Sequence, residues 1–565
     1  MDLLLEPLLD HPGDPSVLRV LSDALLEQGD PWGEAIRLAL DLESTFPGED
    51  AHRLGHRRLE RLQARHGPSW RARLRRPLPQ PMRAPVSFFR AIPSRVNSSD
   101  LQVAQLLDGP VAWLDFTGDA GAPLVTTFPR RAGLNRIEVS QYANAATARK
   151  LLGPGLTSLT SLSLPWSAQA LQLLEEADWT PQLERLRLYG NETPVTPPEL
   201  DRLLKLPLPK LRTLELEGLE LGLPGAERLA ALPWKLERLT LAAANLGVKG
   251  TVLLAGSKAL STVKELSFAR NTMGPTGAAA LATSPHLKHL VSLDLTSTAS
   301  GAKALVPFFE ALALPSLKAL VLTSCGLKGK ALEPLAAVKT KALGQLTELD
   351  LANNLMGDDG LAALSKTTAL TGVRLLQLDG NAIKGPGIAA LGRSALLAKV
   401  EELSLRHNKF QNTGAKGFAA SKNVRALQVL SLGHNWLGVQ GLEAMLENPA
   451  LTHLEQVREG MNNYGPQLGR SFAASKTLRL WTLSLGPDAT TDALSKLLVA
   501  PRLGTLELLT LHCQAFDDAM VELLEKGPLP KAKTTVVVSR VWCRALTDAG
   551  ATKLTSVLGD RVSFD

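Results

Sequence analysis

The sequence predicts an α/β solenoid, a stack of short strand–turn–helix units with a parallel sheet on its concave side and helices on its convex side. Three observations predict it. A motif returns at near-constant spacing, apolar residues alternate inside each copy, and the composition is aliphatic and poor in aromatics. Hydrophobic residues make up 45% of the 565, charged residues 21% and aromatics 4%. A core of many similar aliphatic slots has this composition, and stacking lets a chain outgrow the size limit of a single core.

The motif is L-x-x-L-x-L-x-x-N. Clear copies are Val263-Leu266-Phe268-Asn271, Leu346-Leu349-Leu351-Asn354, Val373-Leu376-Leu378-Asn381, Val400-Leu403-Leu405-Asn408 and Leu427-Leu430-Leu432-Asn435. The final position recurs at 271, 298, 325, 354, 381, 408, 435 and 462, so six of the seven intervals are 27 residues and one is 29. Weaker copies reach back to Leu114-Phe116 and forward to Val536-Val538. About sixteen repeats result, within the length range of strand–helix repeats.

Each column has a physical task. The L-x-L alternation makes a short strand whose leucines point inward. The Asn column (Asn191, Asn271, Asn354, Asn381, Asn408, Asn435 and Asn462) ends the strand, where a buried amide can satisfy backbone groups left open by the bend. Thr298, Cys325, Asp488 and Gln514 stand in the same column. The regularity of this ladder marks it as scaffold. An apolar anchor follows two residues later and glycine six residues later, as at Gly277, Gly360, Gly387 and Gly414. Alanine-rich segments such as Gly277 to Leu281 then read as helices. Because helices are bulkier than strands, the array is expected to curve into a horseshoe.

The combined pattern resembles the ribonuclease-inhibitor-like class of leucine-rich repeats, over residues 108–565. That resemblance implies the horseshoe architecture and, for function, macromolecular binding. Residues 1–43 resemble a second family, the repeat-companion domain of myxobacterial-type proteins. The residues that carry this are Leu4-Leu5, Pro12-x-Asp14, Leu18 to Val20, Asp23, Leu26-Glu27-x-Gly29-Asp30-Pro31 and Gly33-Glu34-x-Ile36-Arg37-Leu38. It implies a bacterial source, and it brings no known activity to carry over.

Read from the residues alone, Ser16–Glu27, Trp32–Ser44 and Asp50–His66 suit three helices, broken first at Gly29-Asp30-Pro31. Residues 1–75 therefore form a helical domain expected to cap the array. Residues 76–107, with Pro77, Pro79, Pro81 and Pro85, form the linker into it. Residues 1–50 carry twelve acids against two arginines, and residues 51–95 carry twelve arginines against one acid, Glu60. Pairing of the two segments inside the cap is favoured over nucleic-acid binding, because no nucleic-acid fold or interleaved aromatic motif surrounds the arginines.

Catalytic constellations are missing from the sequence. It holds no GxxxxGK[ST], HExxH or GxSxG motif. His52 and His56 stand four apart but among arginines, which reads as a solvated basic face rather than a metal site. Cys325, Cys513 and Cys543 fall inside the repeat beat and read as structural; no disulfide framework or CxxC pair is formed. The N-terminus lacks a basic start followed by a long apolar run. These features predict a cytoplasmic, non-enzymatic protein without metal or cofactor.

The expected function is a protein-interaction scaffold that binds on its concave face. The outward positions beside the leucines are Arg185, Arg187, Tyr189, Arg238, Glu265, Arg270, Asp294, Glu348, Asp350, Asp379, Glu402, Arg406, His407, His434 and Arg458. Acids dominate the middle and arginines the ends, which suits a partner with a basic centre. The alternative is docking to nucleic acid or an anionic surface through residues 53–95. The sequence identifies neither the partner nor the oligomeric state.

Overall fold

The computed structural model describes residues 5, 11–74, 87–89, 92–97, 113–116, 131–140, 149–298, 301–333, 341–458, 482–485 and 490–564. The chain divides into two compact units, the first comprising 1–298 and 313–318 and the second comprising 299–312 and 319–565.

The first unit opens with three helices, α1 (Pro15–Glu27), α2 (Pro31–Leu42) and α3 (Asp50–Leu74). Asp14 and Asp30 cap the first two, their carboxylates accepting the backbone N–H groups of Ser16 and Trp32 ahead of a proline in the first turn. Leu18, Leu21, Leu25, Trp32, Ile36, Leu62 and Trp70 form the core of this domain. The Trp32 and Trp70 rings stack at 5.7 Å. Contact between α1 and α2 depends on Gly33, where a Cβ would lie 2.6 Å from the Ser22 carbonyl oxygen and 2.8 Å from the Leu26 nitrogen. Gly33→Ala is therefore expected to cost roughly 2 kcal/mol, read as faster amide exchange across Pro15–Leu42 in the full chain. Unchanged exchange there would refute the close-contact argument. α3 runs past the expected end at His66 to Leu74.

The first unit's strands are β1 (Ser87–Phe89), β2 (Ile92–Asn97), β3 (Trp113–Phe116), β4 (Arg136–Val139), β5 (Ser161–Pro165), β6 (Arg185–Pro194), β7 (Thr213–Glu220), β8 (Arg238–Thr240), β9 (Glu265–Ser267) and β10 (Ser292–Asp294). β1 pairs antiparallel with β2, and every later neighbour is parallel and in sequence order. The second unit repeats the scheme with β11 (Ala319–Val321), β12 (Glu348–Asp350), β13 (Leu375–Gln377), β14 (Glu402–Ser404), β15 (Val429–Ser431), β16 (Gln456–Arg458), β17 (Thr482–Leu485), β18 (Leu508–Leu511), β19 (Thr535–Val538) and β20 (Val562–Phe564). The predicted α/β solenoid of strand–turn–helix repeats is thus the observed fold. A helix (Asp548–Leu558) and a further strand, β20, beside β19 follow.

Register explains why the strands are so short and so regular. Leu349, Leu376 and Leu403 pair in line across β12, β13 and β14, each at most 1% exposed. Burying each leucine contributes about 2 kcal/mol. On the opposite side run helices such as Gly357–Leu364, Gly385–Arg393 and Gln411–Ala419. The glycine column is where they meet. A Cβ on Gly387 would lie 2.5 Å from Asp358 Oδ1, which already accepts the backbone N–H groups of Lys384 and Gly387.

The Asn column forms a continuous hydrogen-bonded rail in the second unit. The backbone N–H of Asn354 donates to Asn381 Oδ1 at 2.9 Å, that of Asn381 to Asn408 Oδ1 at 3.0 Å and that of Asn408 to Asn435 Oδ1 at 3.0 Å. Each Nδ2 donates to carbonyls of its own turn and of the preceding repeat, as Asn408 does to Leu405, Arg406 and Leu378. Asn271 makes the same pattern in the first unit. Asn191 does not. β6 continues to Pro194 through a bulge and pairs with β7 as far as Glu220, which leaves Asn191 exposed. Gln514 is likewise exposed, and Cys513 is buried in its stead. Asn462 and Asp488 lie outside the described residues.

Candidate functional site

Of the two units' outward strand faces, the first's is largely occupied by its own charges. Arg185 pairs with Glu215. Arg187 pairs with Glu217 at 2.7 Å and stands over the Tyr189 ring at 4.8 Å. The Tyr189 hydroxyl donates to the Val139 carbonyl. Arg212 reaches Glu237 at 3.1 Å, and Arg238 reaches Glu265 at 2.9 Å. Arginines and glutamates one strand apart thus neutralise each other. Asp294 accepts from Ser267 Oγ and from the N–H and hydroxyl of Thr296.

The helical domain covers part of this face. Arg238, on β8, donates to the carbonyls of Glu43 (3.2 Å) and Thr45 (2.8 Å) in the loop between α2 and α3. Phe46 of that loop is 2% exposed, with the Arg238 guanidinium at 4.4 Å and Lys264 Nζ at 5.0 Å from its ring centre. His52 faces the same place, its Nδ1 2.9 Å from the Thr45 hydroxyl and its ring edge-on to His56. Burial, with the charges of His56 and Arg238, lowers the His52 pKa to about 4. His52 is therefore not part of the solvated basic face expected from its arginine neighbours, whereas His56 is exposed. Sequence patterns gave no sign of this contact, because Phe46 sits in a short irregular loop and its partners lie almost two hundred residues away.

Acid–arginine pairing within the helical domain is observed for Arg58, which holds Glu34 through two bonds of 2.7 and 2.8 Å. The Arg58 hydrogen bond keeps the Glu34 carboxyl below its ordinary range. Arg37 pairs with Asp23, and the buried Arg53 with Asp50 at 3.1 Å. The side chains of Arg71 and Arg73, and all of Arg75 and Arg76, lie outside the described residues.

In the second unit the outward strand positions differ in character. In register they are Glu348 and Asp350, then Leu375 and Gln377, then Glu402 and Ser404, then Val429 and Ser431, of which the last two are buried. Three carboxylates and no cation stand among these eight positions. Asp350 also accepts the Ala352 N–H at 2.8 Å.

Five expected strand-face residues lie elsewhere. Arg270, Arg406, His407 and His434 sit in the turns that leave the strands; Arg270, His407 and His434 have φ of 58, 54 and 59°. Asp379 is also in such a turn, accepting from Ser404 Oγ and the Arg406 N–H. The His407 and His434 rings stack at 4.0 Å. Desolvation, then the charges of His407 and Arg406, lowers the His434 pKa. Beside them Trp436 is 56% exposed, with Lys409 Nζ 5.7 Å from its ring centre. The sequence reading missed Trp436, although it is the only large aromatic one residue after an Asn of the ladder. The side chain of Arg458 lies outside the described residues.

Cys325, Cys513 and Cys543 are all buried. The neighbouring Cys543 thiol and burial push the Cys513 thiol far up, the opposite of what a nucleophile needs. Among the described residues no group of three or more His, Cys, Asp or Glu side chains could hold a metal ion, and no helix is long and apolar enough to cross a membrane.

A family model described as "Leucine Rich repeat" matches residues 259–282, 346–365, 397–419 and 425–446. No curated protein matches the chain. Among solved structures it is similar to an internalin of Listeria monocytogenes, at 17% identity and a TM-score of 0.34, over 66% of this chain and 88% of that one. It is also similar to the structure of the yeast Rad7 and Elc1 complex, at 15% identity and a TM-score of 0.36, over 72% of this chain and 86% of that one.

Proposed function

We propose that this chain, built from leucine-rich repeats, is a non-catalytic scaffold that binds a protein partner on the outward strand face of its second unit. The observation that carries the reading is the row from Glu348 to Ser431, three carboxylates among eight registered positions with no cation. Such a row suits a partner with a basic centre, by charge complementarity. In the first unit the corresponding charges pair among themselves, and Phe46 with its loop takes up part of the face. The alternative, docking of phosphates through residues 53–95, has fewer cations to draw on once Arg53 and Arg58 are paired with acids.

The test is Glu348→Lys with Glu402→Lys. Asp350 and Asp379 are left alone because they hold backbone N–H groups. A basic protein captured from native lysate by the original chain is expected to be held at least tenfold more weakly by the double variant, since losing two charge contacts of about 1 kcal/mol and adding repulsion changes affinity by that much. Its binding should weaken only modestly with salt. An unchanged retained set, or a steep salt dependence with recovered nucleic acid, would overturn the reading.

A further inference from the structure

We propose that the strand-exit turns of the second unit form a second docking site, for an extended acidic protein segment, with Trp436 as apolar anchor and Arg406 and Lys409 as its cations. This site is distinct from the strand-face reading, since neither Glu348 nor Glu402, the two acids on which that reading is tested, takes part.

The position one residue after the ladder is left-handed in several repeats, with φ of 51° at Asn245, 70° at Gly326, 53° at Leu355, 55° at Ala382 and 55° at Trp436. The fold asks there only for tolerance of that conformation, which glycine and asparagine supply at least strain. Leu355 and Trp436 instead carry backbone strain together with 54% and 56% exposure. Folding alone gives no reason for a large apolar side chain in that slot. A bound partner does, because tryptophan and arginine are the residues that concentrate binding energy.

Charge selects the partner. Residues 404–412 and 431–438, the two turns around Trp436, contain Arg406, Lys409, His407 and His434 and no acid. The acid of the preceding turn, Asp379, already accepts from Ser404 and Arg406. Spacing selects the shape. Leu355 and Trp436 are three repeats apart, about 14 Å at the usual strand separation. An extended peptide covers that distance in about four residues, and positions four apart share one face of a strand. A single-stranded nucleic acid would need successive aromatic platforms, whereas the slots between hold Ala382 and Lys409.

The experiment pans a phage-displayed library of random 12-residue peptides on the full chain and, in parallel, on Trp436→Asn, which puts into the slot the residue found at Asn245. Enriched sequences are expected to carry surplus Asp and Glu and two apolar residues four apart. Synthesised with fluorescein, they should bind Trp436→Asn about thirtyfold more weakly and bind Lys409→Glu more weakly too. The Glu348→Lys, Glu402→Lys variant should hold them as well as the original chain does. Absence of enrichment, enrichment of basic or neutral sequences, or equal affinity for Trp436→Asn would overturn the proposal. So would a 12-residue oligothymidine that binds through Trp436 in their place.

Discussion

Asn408→Ala is expected to destabilise the second unit by roughly 3–5 kcal/mol. Asn408 is 1% exposed. Its Oδ1 accepts the backbone N–H groups of Asn381 and Ile383, both at 3.0 Å, and its Nδ2 donates to three carbonyls. Alanine leaves all five backbone groups without that partner in a buried turn, each unsatisfied group costing about 1–3 kcal/mol before any water enters. Asn408→Thr should cost less, because a hydroxyl already serves this column at the fully buried Thr298. Asn408→Asp should be worse at neutral pH than in mild acid, because it sets a carboxylate against three carbonyl oxygens. A repeat contacts only its neighbours, so the loss of amide protection should spread from residues 375–436 and fade with distance along the stack. Uniform loss over the whole chain, or no loss, would show that the rail does not carry local stability.

The repeat fold was legible because each column answers a local demand that recurs. Leu349, Leu376 and Leu403 recur because each must fill the same slot, and Asn354, Asn381 and Asn408 because each bend leaves the same groups open. A second rail obeys the same logic and was overlooked. Ser257, Ser284, Thr367, Ser394, Ser421 and Asn448 are all buried and accept the backbone N–H two residues on. Ser257, Ser284, Ser394 and Asn448 also donate to a carbonyl of the preceding repeat. Their 27-residue beat is present in the sequence, but small polar residues are common in turns and the leucines masked it. Asn191 misled for the converse reason: the motif was intact while the bulged β6 carried the chain past the bend. The surfaces were less legible. Outward positions obey no packing rule, so the sequence could list Arg185, Arg187 and Arg238 without revealing that Glu215, Glu217 and Glu265 neutralise them. Trp436 was hidden because its importance lies in a backbone angle.

Phe46→Ala is expected to release the α2–α3 loop from β8 and β9, at a cost of roughly 3–4 kcal/mol to that contact. The ring is 2% exposed and carries two cations over it, while Arg238 ties the loop backbone through Glu43 and Thr45. Acid should loosen the same contact in the unaltered chain. His52 is held to a pKa of about 4 when docked, against 6.5 when free, so docking favours the neutral ring. A group with a lowered pKa of this kind contributes its full stabilisation above pH 6.5 and loses it as the pH falls from 6.5 through 4. The native cysteines are buried, so Ser44→Cys offers a single reactive site for a dye whose anisotropy reports loop mobility. Anisotropy should be high at pH 8, fall between pH 6.5 and 4, and stay low at every pH in Phe46→Ala. His52→Gln should flatten the pH dependence without abolishing docking. A wild-type signal that stays level down to pH 4 would remove His52 from the contact. If the fall occurs, acid uncovers Arg238 and its strand neighbours, and the helical domain acts as a removable cover of the first unit's face.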